Sequence, residues 1–230
     1  RAGKLITKNA ADTIKRVSLE LGGKGANIVF ADADEKAVKR GVRRVFNNSG
    51  QSCNAPTRLL VEKSIYERAV KEAIDVAEKT KVNVANKEGD HIGPVVSKVQ
   101  YDKIQTLINK GITEGAKLVA GGPNRPVHLN KGYFVKPTVF ADVNNNMTIA
   151  KEEIFGPVLG VTTFKDEAEA LEIANDTLYG LGAGVWTRDI HQMQTFSRGI
   201  EAGRVWCNCY HAYPAHASFG GYKKSGIGRE

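Results

Sequence analysis

Cysteine is scarce in this chain. Cys53, Cys207 and Cys209 are the only three among 230 residues. Three thiols make no disulfide framework, and reduced cysteines in a cytosolic enzyme fit the count better. The N-X-[ST] triplets at Asn47, Asn146 and Asn175 therefore carry no weight as glycosylation sites. Long apolar runs are missing too: none approaches the roughly 18 residues that a membrane-spanning helix needs, so no span is expected. Acidic residues are outnumbered, 25 against 33 lysines and arginines, which leaves a net charge of +8. That excess is spread along the chain; it can attract anions such as nucleotides or nucleic acid but says nothing about fold. Internal repeats and low-complexity linkers are also absent. What remains, 41% hydrophobic and 25% charged, is the composition of one large globular domain or two small ones. The chain opens on "RAGKLITKNA" without a methionine and stops at "SGIGRE", so it reads as a piece of something longer.

Apolar stretches alternate with helical patterns. Strands are expected at 27–30, 57–63, 117–122, 158–164, 182–187 and 204–209, with 132–143 extended and Pro137 marking an edge or a bend. Helices are expected after Asp34, where Ala37, Val38, Val42, Val45 and Phe46 recur at helical spacing, and at 97–115, 166–175 and 189–199. Ser64 and Glu67 form an S-x-x-E capping signature for a further helix through about Lys79. Strand–helix–strand alternation implies an α/β fold: an open, mainly parallel twisted sheet with helices on both faces.

Several short stretches could carry chemistry. Cys53 lies in "NNSGQSCNAPTR" among small and polar neighbours, which pack poorly and suit backbone that must approach a ligand. A free cysteine is commonly a small buried hydrophobe; a nucleophilic one needs access, a lowered pKa and donors for the oxyanion it creates. Glu20 sits between Leu19 and Leu21, just before a double glycine. It is either a solvated edge residue or a carboxyl lifted toward neutrality by burial, and then a candidate general base. In "KEEIFGPVLGV" a carboxylate could accept hydrogen bonds from ribose hydroxyls while Phe155 packs on a flat ring, or the segment is a plain loop into a strand. "CNCYHAYPAH" offers Cys207, Cys209, His211 and His216, but the spacing is wrong for common zinc patterns, and C-x-C on a strand sends both thiols to one face. No metal site is expected. Lys36, Lys39, Arg40, Arg43 and Arg44 stripe one helix; with no aromatic platform beside them they read as a solvated face and not as a nucleic-acid interface.

In combination and in this order, "LELGGK" (19–24), "GQSCNA" (50–55), "EEIFGPV" (152–158) and "FGGYKKSGIGRE" (219–230) resemble the NAD(P)-dependent aldehyde dehydrogenases. "YGLGAGVWTRD" and "AGRVWCNCY" are typical of the same family, and "NCYHAYPAH" resembles its bacterial members acting on acetaldehyde and similar short aldehydes. Members are considerably longer, so the resemblance implies a catalytic domain at 22–230 preceded by a remnant of the cofactor-binding domain at 1–21.

The resemblance also implies roles. Cys53 is the nucleophile that forms a thiohemiacetal and then, after hydride transfer to NAD or NADP, a thioester. Glu20 activates the water that hydrolyses it; CoA-acylating relatives generally lack this base. Glu153 binds the nicotinamide ribose, with Phe155, Leu21 and Gly22 beside the cofactor. Phe219, Cys209 and Asn54 line the aldehyde pocket, and Glu230 serves a proton relay. The partner is a small aldehyde, with no nucleic acid or membrane, in a cytoplasmic homo-dimer or homo-tetramer. Glu20 and Cys53 are 33 residues apart (53 − 20), enough for a strand, a helix and a return loop to bring them together at strand ends. A structural or interaction role without dehydrogenase activity is the alternative.

Overall fold

Leu59, Leu60 and Val61 are three consecutive apolar residues, and all are buried to within 1%. Side chains alternate across a strand, so such a run is satisfied only where both faces are covered. The computed structural model, which describes residues 2–229, provides this arrangement. Leu59 and Val61 pack on one face with Val29, Trp186 and two helices, while Leu60 packs on the other with Ile28, Val185 and two more.

The elements run in order α1 (Ala2–Ala11), β1 (Leu19–Glu20), β2 (Ala26–Val29), α2 (Ala37–Phe46), β3 (Arg58–Glu62), α3 (Tyr66–Lys79), α4 (Lys98–Thr113), β4 (Lys117–Ala120) and β5 (Thr138–Ala141). Then follow α5 (Thr148–Lys151), β6 (Val158–Phe164), α6 (Glu167–Asn175), β7 (Tyr179–Gly180), β8 (Gly182–Trp186), α7 (Ile190–Gly199), β9 (Arg204–Cys207), β10 (Tyr222–Lys223) and β11 (Gly226–Ile227). Seven strands form one sheet in the order β4-β5-β6-β3-β2-β8-β9, parallel throughout except for the edge pair β4·β5. Helices α2 and α3 cover one face; α6 and α7 cover the other. The expected class is therefore the observed one. Two small antiparallel ribbons, β1·β11 and β7·β10, stitch the C-terminal segment back onto the start of the chain and onto the segment before β8.

Four local expectations change. Pro137 does not mark an edge: it stops just short of β5, which is paired on both sides by β4 and β6. The capping box at Ser64 does not form, because Lys63–Ile65 tightens into a 3₁₀ turn and the Ser64 hydroxyl donates back to Glu62 at 2.9 Å. β9 ends at Cys207, since Asn208 takes the left-handed conformation at φ 54°. That kink defeats the C-x-C alternation: Cys207 packs with the α6/α7 face and Cys209 with the α2/α3 face. Helix α1 carried no sequence expectation; it stands off the sheet with Leu5 and Ile6 exposed.

Candidate active site

Parallel order decides which loops become neighbours. Ala26 of β2 lies opposite Arg58 of β3, and Arg58 opposite Gly160 of β6. The segments leading into these strands, 21–25, 51–57 and 152–157, therefore meet along one margin of the sheet. They lie before the amino ends of the strands, whereas open α/β sheets commonly bind ligands beyond the carboxyl ends. The "LELGGK", "GQSCNA" and "EEIFGPV" stretches are these three lead-in segments.

Glycine permits the meeting. A Cβ on Gly23 would stand 2.3 Å from the carbonyl oxygen of Cys53, and one on Gly22 would stand 2.2 Å from Glu153 Oε2. The double glycine thus lets the cysteine loop approach at one residue and the carboxylate at the next. Asn48, Ser49 and Gly50 are all left-handed, at φ 51°, 55° and 72°, and this reversal carries the chain from α2 to Cys53. Ser49 Oγ donates to the Gly93 carbonyl at 2.7 Å, which ties down the turn.

Cys53 Sγ donates to Glu20 Oε1 at 3.3 Å. Burial pushes the Cys53 thiol up to about 12, assisted by the hydrogen bond to Glu20 and by its negative charge. Glu20 itself is exposed, paired in β1 with Gly226, so the buried-carboxyl alternative does not describe it. Glu153 is half-buried, and its Oε1 accepts the Gly23 N–H at 3.1 Å. Its loop is held from α4: Lys103 Nζ donates to the Glu153 carbonyl at 2.7 Å, and Gln100 Nε2 donates to those of Ile154 and Phe155 at 2.9 Å each. Phe155 is half-buried and left-handed at φ 55°. A carboxylate with its second oxygen uncommitted, beside an aromatic ring and a backbone cradle without Cβ atoms, suits a ribose diol and a flat ring. Leu21 is on the rim; its N–H donates to the Ser225 carbonyl at 2.8 Å, and Ser225 Oγ donates to the Gly22 carbonyl at 2.6 Å.

Asn54 is buried beside the thiol and is wired into the loop after β9. Its Oδ1 accepts from Ser52 Oγ at 2.9 Å and from His211 Nε2 at 3.0 Å, its Nδ2 donates to the Tyr213 hydroxyl, and its carbonyl accepts the Tyr210 hydroxyl at 3.0 Å. Burial, then the Arg44 charge, holds His211 below the usual histidine range. Phe219 meets Tyr213 edge to face with centroids 5.8 Å apart. Cys209 is placed differently: it lines a hollow of about 440 Å³ with Arg40, Arg43, Arg44, Asn47, Trp186, Asn208 and Tyr210. Glu230 lies outside the described residues. Among those described, no three His, Cys, Asp or Glu side chains gather as metal ligands.

The family model described as "Aldehyde dehydrogenase family" matches residues 1–230. The chain belongs to the aldehyde dehydrogenase family. Among its relatives, "Aldehyde dehydrogenase" of Deinococcus radiodurans is 50% identical over 99% of this chain and 45% of its own length. "Acetaldehyde dehydrogenase 2" of Cupriavidus necator is 51% identical over 99% of this chain and 46% of its own. The crystal structure of aldehyde dehydrogenase from Bartonella henselae superimposes with a TM-score of 0.97 at 56% identity, covering all of this chain and 48% of that one. The chain thus spans about half the length of the aldehyde dehydrogenases it matches. NAD+ is present in related structures, one of them aldehyde dehydrogenase C of Pseudomonas syringae in complex with NAD+ and octanal. Gln100, Lys103, Arg204, Tyr213 and Ser225 were not singled out from the sequence. Three of them lie inside stretches with a sequence signal: Arg204 in "AGRVWCNCY", Tyr213 in "CNCYHAYPAH" and Ser225 in "FGGYKKSGIGRE"; Gln100 and Lys103 had none.

Proposed function

We propose that the full-length protein oxidises an aldehyde to its carboxylic acid, with Cys53 as nucleophile and Glu20 as the base for hydrolysis. One observation carries this: the 3.3 Å contact between Sγ and Oε1 at the junction of three lead-in loops. The thiol must first lose its proton, to solvent or to the Glu20 carboxylate that accepts its S–H bond. Its thiolate then adds to the carbonyl carbon, and the backbone N–H of Cys53, which already points at the sulfur, would face the resulting oxyanion. When bound, NAD or NADP supplies the acceptor for the hydride that leaves that carbon, and Glu153, Phe155, Leu21 and Gly22 are the residues that would hold its nicotinamide end. Cys53 then carries a thioester. Glu20 takes a proton from water, the hydroxide adds to the acyl carbon, and sulfur departs as the acid is released. A direct Sγ–Oε1 contact leaves no space for that water, so the exposed Glu20 side chain swings away from the half-buried sulfur before hydrolysis.

The substrate class is a small aliphatic aldehyde, the kind the Cupriavidus relative is named for. Residues 1–21 belong with a cofactor-binding domain, and the whole protein works as a homo-dimer or homo-tetramer. In the full-length protein, Cys53→Ala is expected to abolish NADH formation from acetaldehyde. NADH production by that variant at a substantial fraction of the wild-type rate would overturn the assignment. A structural role without turnover is the reading favoured by the raised thiol, and it requires the unsubstituted full-length protein to be inert with every aldehyde tried.

A further inference from the structure

Arg204, the first residue of β9, spends its guanidinium on the loop that follows the strand. Nη1 donates to the Ala212 carbonyl at 3.4 Å, and Nη2 donates to those of Ala217 and Ser218 at 2.6 and 2.9 Å. The same group lies over two rings, 5.7 Å from the centroid of Tyr213 and 5.5 Å from that of Phe219. No salt bridge to Arg204 is found among the described residues. The loop has little order of its own making: within residues 209–219 the turn and loop backbone supplies one internal hydrogen bond, from Ala217 N–H to the Pro214 carbonyl. Asn208 and His211 are left-handed, so the segment doubles back over Trp206, whose Nε1 donates to the Ala212 carbonyl at 2.8 Å. The loop then reaches the residue next to the nucleophile, because the Tyr213 hydroxyl and His211 both hold the Asn54 side chain.

We infer that Arg204 is a positioning residue: it fixes Tyr213 and Phe219 as an aromatic wall against Asn54, the neighbour of Cys53, and that wall supplies apolar contact to aldehydes long enough to reach it. This deepens the proposed dehydrogenase reading and rests on it. The chemistry explains why arginine serves here. A planar fork can donate to three carbonyls and still stack on rings, whereas a lysine ammonium is a point charge that can keep the attraction to the rings but not the fork. A two-carbon aldehyde is consumed at the sulfur with little reach toward the wall. An eight-carbon chain lies along it, and its binding depends on the rings being held in place.

The test compares acetaldehyde with octanal in steady-state kinetics of the full-length enzyme. Arg204→Ala is expected to raise KM for octanal about tenfold while kcat for both substrates and KM for acetaldehyde stay within about twofold, the signature of lost binding uniform between ground and transition states. Arg204→Lys is expected to fall between, with KM for octanal raised about threefold. This second variant, followed together with its melting temperature, keeps the test informative if the alanine variant does not fold. Unchanged octanal KM in Arg204→Lys and Arg204→Ala overturns the inference, and so does a loss shared equally by both aldehydes. A wild-type enzyme inert toward both overturns the dehydrogenase reading itself, which separates the two failures.

Discussion

At the scale of single residues, the Cys53 thiol is held protonated by burial and by the same carboxylate that is proposed to serve later in hydrolysis. Burial is the larger cause and Glu20 adds to it, so the folded protein carries little thiolate near neutrality. Alkylation of Cys53 by iodoacetamide, read on its peptide by mass spectrometry, is expected to quicken about tenfold per pH unit and to show no plateau below pH 10. Glu20→Gln removes both the charge and the anionic acceptor of the S–H bond, and is expected to move that profile to lower pH. A plateau near pH 8 in the unsubstituted protein would contradict this picture. The pairing of Cys53 with Glu20 was legible in the sequence, because their motifs are short, specific and correctly ordered. The wiring of Asn54 to His211, Tyr213 and Tyr210 was not: it depends on left-handed residues at 208 and 211, which no hydrophobic periodicity encodes.

At the scale of elements, the strands and helices of the sheet were legible because both-face burial demands unbroken apolar runs and the helices between them carry one apolar stripe each. What the pattern missed lies at the joints. The Ser64 hydroxyl found a carboxylate two residues back and left the helix start uncapped by a side chain. The lead-in loops of β2, β3 and β6 bring Cys53 and Glu153 to the candidate site, since three parallel neighbours receive them side by side. This close approach of loops makes Gly23 sensitive. A Cβ there meets the Cys53 carbonyl at 2.3 Å, a rigid backbone contact, so one of the two loops must shift. Gly23→Ala is expected to cost about 1–3 kcal/mol of stability, the range for overpacking, and to alter the rate of Cys53 labelling. Denaturant midpoints and alkylation rates both equal to those of the unsubstituted protein would show that the loops do not meet in this way.

At the scale of the whole molecule, a buried cation sits behind the site. Lys24 is 3% exposed, and burial, aided by the neighbouring Arg58 charge, lowers it to about 7. Its value in the unfolded chain is about 10.4. Between those two the unfolded state holds the proton that the folded state has released, so stability rises with pH across roughly 7 to 10, and below that window the penalty of burying the charge is fully present. Lys24→Met is expected to raise the melting temperature most at pH 7 and below, with the advantage shrinking toward pH 10. An advantage that does not vary with pH would contradict the burial of a charged lysine. None of this was legible from composition, in which Lys24 is one of 33 basic residues. The molecule as a whole presents a sulfur and a carboxylate to one another at a seam of three loops, and the task we propose for the carboxylate is to free the acyl group from the sulfur. The most direct measurement is rapid-quench mass spectrometry on the full-length Glu20→Gln variant mixed with NAD+ and acetaldehyde. Expected is a burst of about one NADH per site, slow turnover afterwards and an acetyl group on Cys53; steady turnover at the unsubstituted rate, or an unmodified Cys53, would contradict it.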